Sequence, residues 1–493
     1  MTAGPLVPVG RGTVRVGTTA GRWVILATVL GSGMAFLDAT VVNVALPAIG
    51  REFGGGLSGL QWALDAYLLT LGSLLLLGGA LGDRYGRRRV FVTGLVAFSA
   101  ASALCGLAPS LGGLIVARAV QGVGGALLVP GSLALLSASF HPDDRGRAVG
   151  AWSGLAGVAS AVGPFLGGWL VDAVSWRLVF LINLPLAAVT VWVVVNHVPE
   201  SRDASAVAGG KLDVAGAAAA TVGLGGVVFA LIEGSGGGWS APVAIALVVG
   251  VAALVAFPFI ERRHPQPLVP LELFRSRQFS GANATTFAVY GAFAGALFLF
   301  VVLLQQGLGY SALEAGASML PVTLILVLLS SRTGRLAQRV GPRLPMTVGP
   351  IVAGAGLTLM STVRAGSGYT SGVLPGVVVF GLGLSFTVAP LTAAVMASVA
   401  DRHLGAGSGV NNAVARVAGL LSVALLPALA GLSGIDPVDP AFVGGTQVAL
   451  RIAAGLCAAG GMVANVSVRT SAPVRSAAQP GMTIACNDPA LRR

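Results

Sequence analysis

Asp38 lies inside an otherwise apolar stretch, Leu37-Asp38-Ala39-Thr40-Val41-Val42-Asn43-Val44-Ala45-Leu46-Pro47. An ionised carboxylate in hydrocarbon is costly, so Asp38 must face a watery cavity or exchange a proton. Either behaviour suits a group that binds and releases protons. Arg118 lies in a second apolar run, Leu114-x-x-x-Arg118-x-x-Gln121-Gly122. Arg118, Gln121 and Gly122 share one helix face. Arginine cannot give up its charge, so it needs a partner, and a carboxyl that approaches it is driven to release its proton. Asp38 and Arg118 are therefore expected to act together in proton coupling across a cavity. Asp65, between Trp62 and Tyr67, is expected near the outer membrane interface, where it could attract cations. Asn43, Gln121, Asn412 and Arg416 are polar side chains in apolar runs, and Asn412 and Arg416 share a face at i, i+4. With Asp65 they are candidates for lining a substrate cavity.

A basic segment recurs. Gly79-Ala80-Leu81-Gly82-Asp83-Arg84-Tyr85-Gly86-Arg87-Arg88-Arg89 is echoed by Gly334-Arg335-Leu336-Ala337-Gln338-Arg339-Val340-Gly341-Pro342-Arg343. When Gly79 is set against Gly334, Gly86 meets Gly341, and Arg84 and Arg88 meet Arg339 and Arg343. A second echo pairs Asp144-Arg145 and Gly150 with Asp401-Arg402 and Gly407. Such internal repeats imply two related halves. Asp83 is expected to cap or pair with a neighbouring helix end, and Arg87 or Arg88 to reach Asp143 and Asp144. Together with Arg84 and Gly86 these residues would form a gate. The second copy has Gln338 in place of Asp83, so the two gates are not equivalent. In Gly163-Pro164-Phe165-Leu166-Gly167-Gly168 the proline removes a helix hydrogen bond and the glycines allow close helix contact, so a bend is expected there.

These residues need membrane helices to position them. The chain has 493 residues, 55% of them hydrophobic and 10% charged, against about 25% charged in a soluble protein. Apolar runs recur along its whole length, each readable as a membrane-spanning helix. They fall at 23–47, 60–81, 90–107, 111–139, 147–172, 178–197, 212–232, 241–260, 279–304, 313–331, 345–363, 372–399, 405–432 and 447–468. The 72 glycines fit helices packed closely in lipid. The basic residues gather in alternate joints, which places both termini in the cytoplasm and favours an even number of spans. The expected fold is an all-α integral membrane protein. A cytoplasmic tail (1–22) and a six-helix bundle (23–197) are followed by a linker with two inserted helices (198–278), a second six-helix bundle (279–468) and a cytoplasmic tail (469–493). The first apolar segment follows a basic stretch without a cleavage site and is read as retained.

The motifs also resemble a known family. The segment at 79–89, the stretch around Asp38, the run 114–125 and the Gly163-Pro164-x-x-Gly167-Gly168 order are similar to the signatures of the major facilitator superfamily. Trp176-Arg177-Leu178-Val179-Phe180-Leu181-Ile182-Asn183-Leu184-Pro185, the segment 267–274 and the segment 409–416 resemble stretches of its fourteen-span drug:proton antiporters. The resemblance implies two six-helix bundles plus an inserted pair. It further implies proton-coupled efflux of drugs or antibiotics across the plasma membrane, with Arg118 in proton coupling and Gly163, Pro164, Gly167 and Gly168 as the antiporter motif. Ala159 stands where the family pattern has a further glycine.

Other classes fit poorly. The net charge of +12 is spread over joints between spans, which argues against nucleic acid as a partner. Three scattered cysteines and four histidines near helix ends offer no metal spacing, and no cofactor is expected. No GxxxxGK[ST] loop is present to use ATP, and no HExxH helix to make a membrane enzyme. A channel would call for rings of charge. The expected partners are a small-molecule substrate, protons and the bilayer, with the monomer as the working unit. Export of one endogenous metabolite is the alternative to multidrug efflux.

Overall fold

The chain was analysed as a computed structural model that describes residues 14–202, 211–364, 366–399 and 404–469. Parts of both expected tails, residues 203–210 of the linker and the Asp401-Arg402 echo lie outside the described residues. Among those described there is no β-strand, only one isolated bridge between Val14 and Phe140. The first half comprises α1 (Thr19–Phe53), α2 (Gly56–Tyr85), α3 (Arg87–Gly106), α4 (Leu111–Ser139), α5 (Pro142–Ala173) and the short α6 (Leu178–Leu181) leading into α7 (Asn183–His197). An inserted hairpin follows, α8 (Val214–Gly237) and α9 (Ala241–Arg263). The second half comprises α10 (Arg277–Val302), α11 (Ala312–Ser318), α12 (Leu320–Val340), α13 (Arg343–Met360), α14 (Leu374–Ala397), α15 (Leu404–Leu429) and α16 (Pro440–Ser467). Twelve helical stretches among the described residues are long and apolar enough to cross a membrane. α5 and α13, of 32 and 18 residues, complete the series of long helices.

Helix ends differ from the apolar runs in an informative way. α12 runs on through Arg332, Arg335 and Arg339, and α2 through Arg84, so most of each basic segment is helix rather than loop. Hydropathy marks only the hydrocarbon-facing part of a helix. Backbone hydrogen bonding continues past it, and long arginine side chains reach toward water. The true breaks are single turns. Gly86 sits at φ 112° between α2 and α3, and Gly341 at φ 85° between α12 and α13; both are conformations that only glycine adopts cheaply.

The two halves share a hydrophobic core at one end and keep separate cores at the other. Near the basic segments, one cluster gathers Phe91, Phe98, Leu135 and Phe140, and another gathers Phe279, Met346, Leu391 and Val410. At the opposite end a single cluster runs from Val41 and Leu46 to Leu299, Phe300 and Leu450. The seam there is tight. A methyl group added to Gly168 would lie 2.6 Å from Leu313 Cα, and one on Gly167 would lie 2.8 Å from Val41 Cγ1. Gly163 faces Thr40 just as closely, and Gly316 packs on the Pro164 carbonyl. The Gly163–Gly168 motif thus lets α5 approach α1 on one side and α11 on the other, while α5 stays one helix through Pro164.

Hydrogen bonds reinforce the seam. Asp172 accepts from the backbone N–H groups of Ala312 (3.2 Å) and Leu313 (2.7 Å). Gln305 donates to the Val44 carbonyl at 2.9 Å, and Gln61 to that of Val423 at 2.7 Å. At the same end Arg177 binds Glu52 through two nitrogens, and these hydrogen bonds push the guanidinium pKa further up. The inserted hairpin is not a loose linker. α8 packs on both α2 and α15, and Trp62 donates to Glu233 at 2.7 Å.

Gly168→Leu should wedge α5 from α11, because overpacking a closed contact typically costs about 1–3 kcal/mol. Spin labels on α5 and α11 should report a longer or broader distance distribution. An unchanged distribution in a properly folded variant would mean that the glycines do not set the seam.

Candidate functional site

α1 brings Asp38 and α4 brings Arg118 to one buried point in the first half. Asp38 is 0% exposed and Arg118 1%. Arg118 Nη1 lies 2.6 Å from Asp38 Oδ2. The cavity expected between them is absent; contact is direct, because α4 packs against α1. Gln121, one turn from Arg118, closes a triangle. It donates to Asp38 Oδ1 at 2.8 Å and accepts from Arg118 at 2.7 Å. Arg118 also donates through Nε to the Ala63 carbonyl at 3.1 Å, and its guanidinium carbon sits 4.3 Å from the centre of the Tyr67 ring. Asn183 of α7 and Ser102 of α3 extend the network. Asn183 donates to Ser102 at 3.0 Å and lies 3.5 Å from Asp38, and Ser102 donates to the Phe180 carbonyl at 2.8 Å.

Such a pair does little for stability. Replacing a buried ion pair with apolar residues is often neutral or stabilising, whereas removing one partner costs about 3–5 kcal/mol. The arrangement can hold a carboxylate charged, and it can register the loss of that charge on protonation.

Asp65 is elsewhere. It is 0% exposed, and neither carboxylate oxygen has a hydrogen-bond partner among the described residues. It is thus enclosed by protein rather than open, as expected of it, to attract cations at a membrane surface. Its aromatic neighbours are packing partners rather than headgroup anchors: Trp62 is bonded to α8, and Tyr67 lies buried beneath Arg118. Of the other cavity candidates, Gln121 joins the Asp38 network, whereas Asn43, Asn412 and Arg416 do not. Asn43 bonds to the Ala39 carbonyl of its own helix, and Asn412, exposed, to that of Ser408. Arg416 crosses from the second half, its guanidinium carbon 5.7 Å from the centre of the Phe36 ring on α1.

The arginines of the first basic segment meet partners other than Asp143 and Asp144, while Asp83 pairs with Arg87, the first residue of α3, at 2.8 Å inside the segment. Arg88 donates to the Val198 carbonyl at 3.1 Å. Glu200, just past α7, accepts from the backbone N–H groups of Arg88 and Arg89 at 3.0 and 3.2 Å, placing an acid at the start of α3 where the helix dipole favours it. A methyl on Gly86 would lie 2.9 Å from that carboxylate, so glycine is needed for the approach as well as for the turn. Asp143 and Asp144 do not meet Arg87 or Arg88. They face Arg15 at 3.5 and 3.7 Å, and Asp144 also accepts from Val16 N–H. The N-terminal segment is nearer to them than the α2–α3 turn.

Ser102, Asn183, Asp172 and Glu200 were not singled out from the sequence. Asn183 belongs to the quoted Trp176–Pro185 stretch, and its polarity within an apolar run was a usable signal. Glu200 sits in a polar joint that resembles any other.

Comparison with known proteins places this geometry. The multidrug resistance protein Stp of Mycobacterium tuberculosis is 35% identical over 404 residues, covering 82% of this chain and 74% of that protein. The probable actinorhodin transporter of Streptomyces coelicolor is 35% identical over 457 residues, 89% of this chain and 78% of its own. Among solved structures, the POT family transporter PepTSo superposes with a TM-score of 0.62 at 14% identity, over 90% of this chain and 97% of that one, a likeness of fold alone. The profile of the Major Facilitator Superfamily matches residues 28–423. With helices that cross the bilayer many times and two halves meeting along a glycine-lined seam, the chain belongs to the Major Facilitator Superfamily of membrane transporters.

Proposed function

We propose that the chain is a proton-coupled efflux transporter of small hydrophobic or cationic compounds, antibiotics among them. It works by alternating access as a monomer in the plasma membrane. The proposed topology has fourteen spans with both termini cytoplasmic, the bundles 23–197 and 279–468 flanking the inserted pair. One observation carries the reading: a carboxylate on α1 bound to an arginine on α4 with both groups out of solvent. The names of the relatives, a multidrug resistance protein and a probable antibiotic transporter, support export as the direction.

Protonation of Asp38 removes the charge that holds Arg118 and weakens the bond from Gln121. α1 is then free to shift relative to α4. The same helix carries Thr40 and Val41 against the glycines of α5, and α5 in turn packs on α11. A proton at Asp38 can therefore be felt at the seam between halves. With the basic segments proposed as cytoplasmic, the separate cores at that end support an inward-open arrangement, in which Asp83, Arg84, Gly86, Arg87 and Arg88 belong to the element proposed to close. Asp65 and Arg416 are proposed to meet substrate or a second proton near the α2–α15 contact. The relative named as a probable actinorhodin transporter supports a second reading, a narrow exporter of one endogenous metabolite.

Asp38→Asn should abolish uphill efflux driven by a pH gradient in vesicles while substrate still binds. Because it leaves Arg118 buried and unpaired, folding should be checked beside it in Asp38→Asn/Arg118→Gln, which is expected to be stable and still inactive. A single variant that pumps with unchanged pH dependence would move coupling to another acid, with Asp65 next to test.

Asp83→Asn and Glu200→Gln should each slow turnover at normal expression, the first by loosening Arg87 and the second by uncapping α3. Wild-type efflux in both would reduce the segment to a topology signal.

A cysteine placed at residue 480 should react with a label only from the cytoplasmic face. Reaction from outside would contradict the fourteen-span arrangement.

A further inference from the structure

The two basic segments differ in how their charge is satisfied. In the first, Arg87 meets Asp83, Arg89 lies 3.8 Å from Glu200, and Arg88 is held by a carbonyl. In the second, Arg332, Arg335 and Arg339 on α12 and Arg343 at the start of α13 are all exposed. None lies within ion-pair distance of a carboxylate among the described residues. Among the described residues, the Arg332 side chain bonds only to the Leu328 carbonyl of its own helix, and that of Arg343 only to the neutral Asn465.

The arginines occupy one stripe. Positions 332, 335 and 339 fall on the same side of a helix. Beside them Leu336 and Val340 are 39% and 41% exposed, and Leu344 on α13 is 58% exposed. A row of guanidinium groups next to a row of exposed aliphatic side chains, at the end of a membrane-crossing helix, matches the boundary between phosphate headgroups and acyl chains. Guanidinium pairs with phosphate through two parallel hydrogen bonds, and clustered basic residues at a membrane surface add attraction charge by charge.

We propose that the α12–α13 corner is a binding site for the headgroup of an anionic phospholipid, which does for the second half what Asp83 and Glu200 do for the first. The substitution of Gln338 where the first copy has Asp83 makes the site possible, because an acid there would neutralise it from within. The site stands independently of what the chain exports.

The test uses the full chain and lipid retention as the readout. Purified protein is exposed to equal phosphatidylglycerol and phosphatidylcholine, and bound lipid is counted by native mass spectrometry. The wild type should prefer phosphatidylglycerol, and Arg335→Gln/Arg339→Gln should lower that preference about tenfold or more. Arg51→Gln/Arg364→Gln, which removes the same charge at the opposite end, should retain it. Inorganic phosphate at equal concentration should not displace the lipid. Unchanged preference in the α12 variant, equal loss in both variants, or displacement by phosphate alone would each overturn the assignment.

Discussion

The contact between Asp38 and Arg118 is the constraint on which the first half is arranged. A guanidinium cannot lose its charge, so burying it calls for partners; five elements build the network around it, and its Nη2 stays without a hydrogen-bond partner among the described residues. α1 supplies the carboxylate, α2 a carbonyl and the Tyr67 ring, α4 the arginine and Gln121, α3 Ser102, and α7 Asn183. Each of those helices has its rotation fixed by the group it must point inward. The energetics favour a functional reason for the pair. Apolar replacement of such a pair tends to be neutral or favourable, so packing alone gives no cause to keep it, while loss of one partner is severe. A group whose charge state is worth that much to the local structure is well suited to turn a proton into a movement.

The seam between halves rests on the opposite chemistry, the absence of side chains. At Gly163, Gly167, Gly168 and Gly316 there is no room for a methyl group, and backbone meets backbone or a small side chain. Close approach maximises dispersion contact, and it also makes the joint a sharp one. The Asp172 carboxylate then caps the start of α11 across the joint. The polar hold and the close fit occur in the same two turns of α5, so opening this end must disrupt both together.

Much of this was legible in the sequence. Apolar runs located the helices, because hydrocarbon permits no other backbone satisfaction for a segment of that composition, though one expected to end at 331 runs on to Val340 and one expected to start at 447 begins at Pro440. The repeated basic segment exposed the division into halves. Asp38, Arg118 and Gln121 stood out as polar groups in apolar runs, and they prove to be neighbours. What the sequence could not convey was pairing across distance. Asp143 and Asp144 were plausible partners for Arg87 by charge and by proximity in the expected topology, but Glu200 and Arg15 hold those places. Tyr67 and Trp62 looked like interface anchors, since aromatic residues beside an acid carry the same pattern whether they face headgroups or a neighbouring helix. The covering helix that decided the matter, α8, is more than a hundred residues away.

That covering helix has an evolutionary and an engineering consequence. Trp62, Leu68 and Leu69 of α2 join Leu420 and Ala424 of α15 in a cluster with Leu224, Val228 and Ile232 of α8. Asp65 lies on the same stretch of α2, one turn from Trp62 and one from Leu69. The inserted hairpin therefore packs on the stretch of α2 that carries an ionisable residue, as well as being an insertion in the chain. A descendant or a redesign that trimmed the protein to two bare bundles would uncover this stretch of α2 to acyl chains. It would have to surrender Asp65, or recruit another protein to stand where α8 stands.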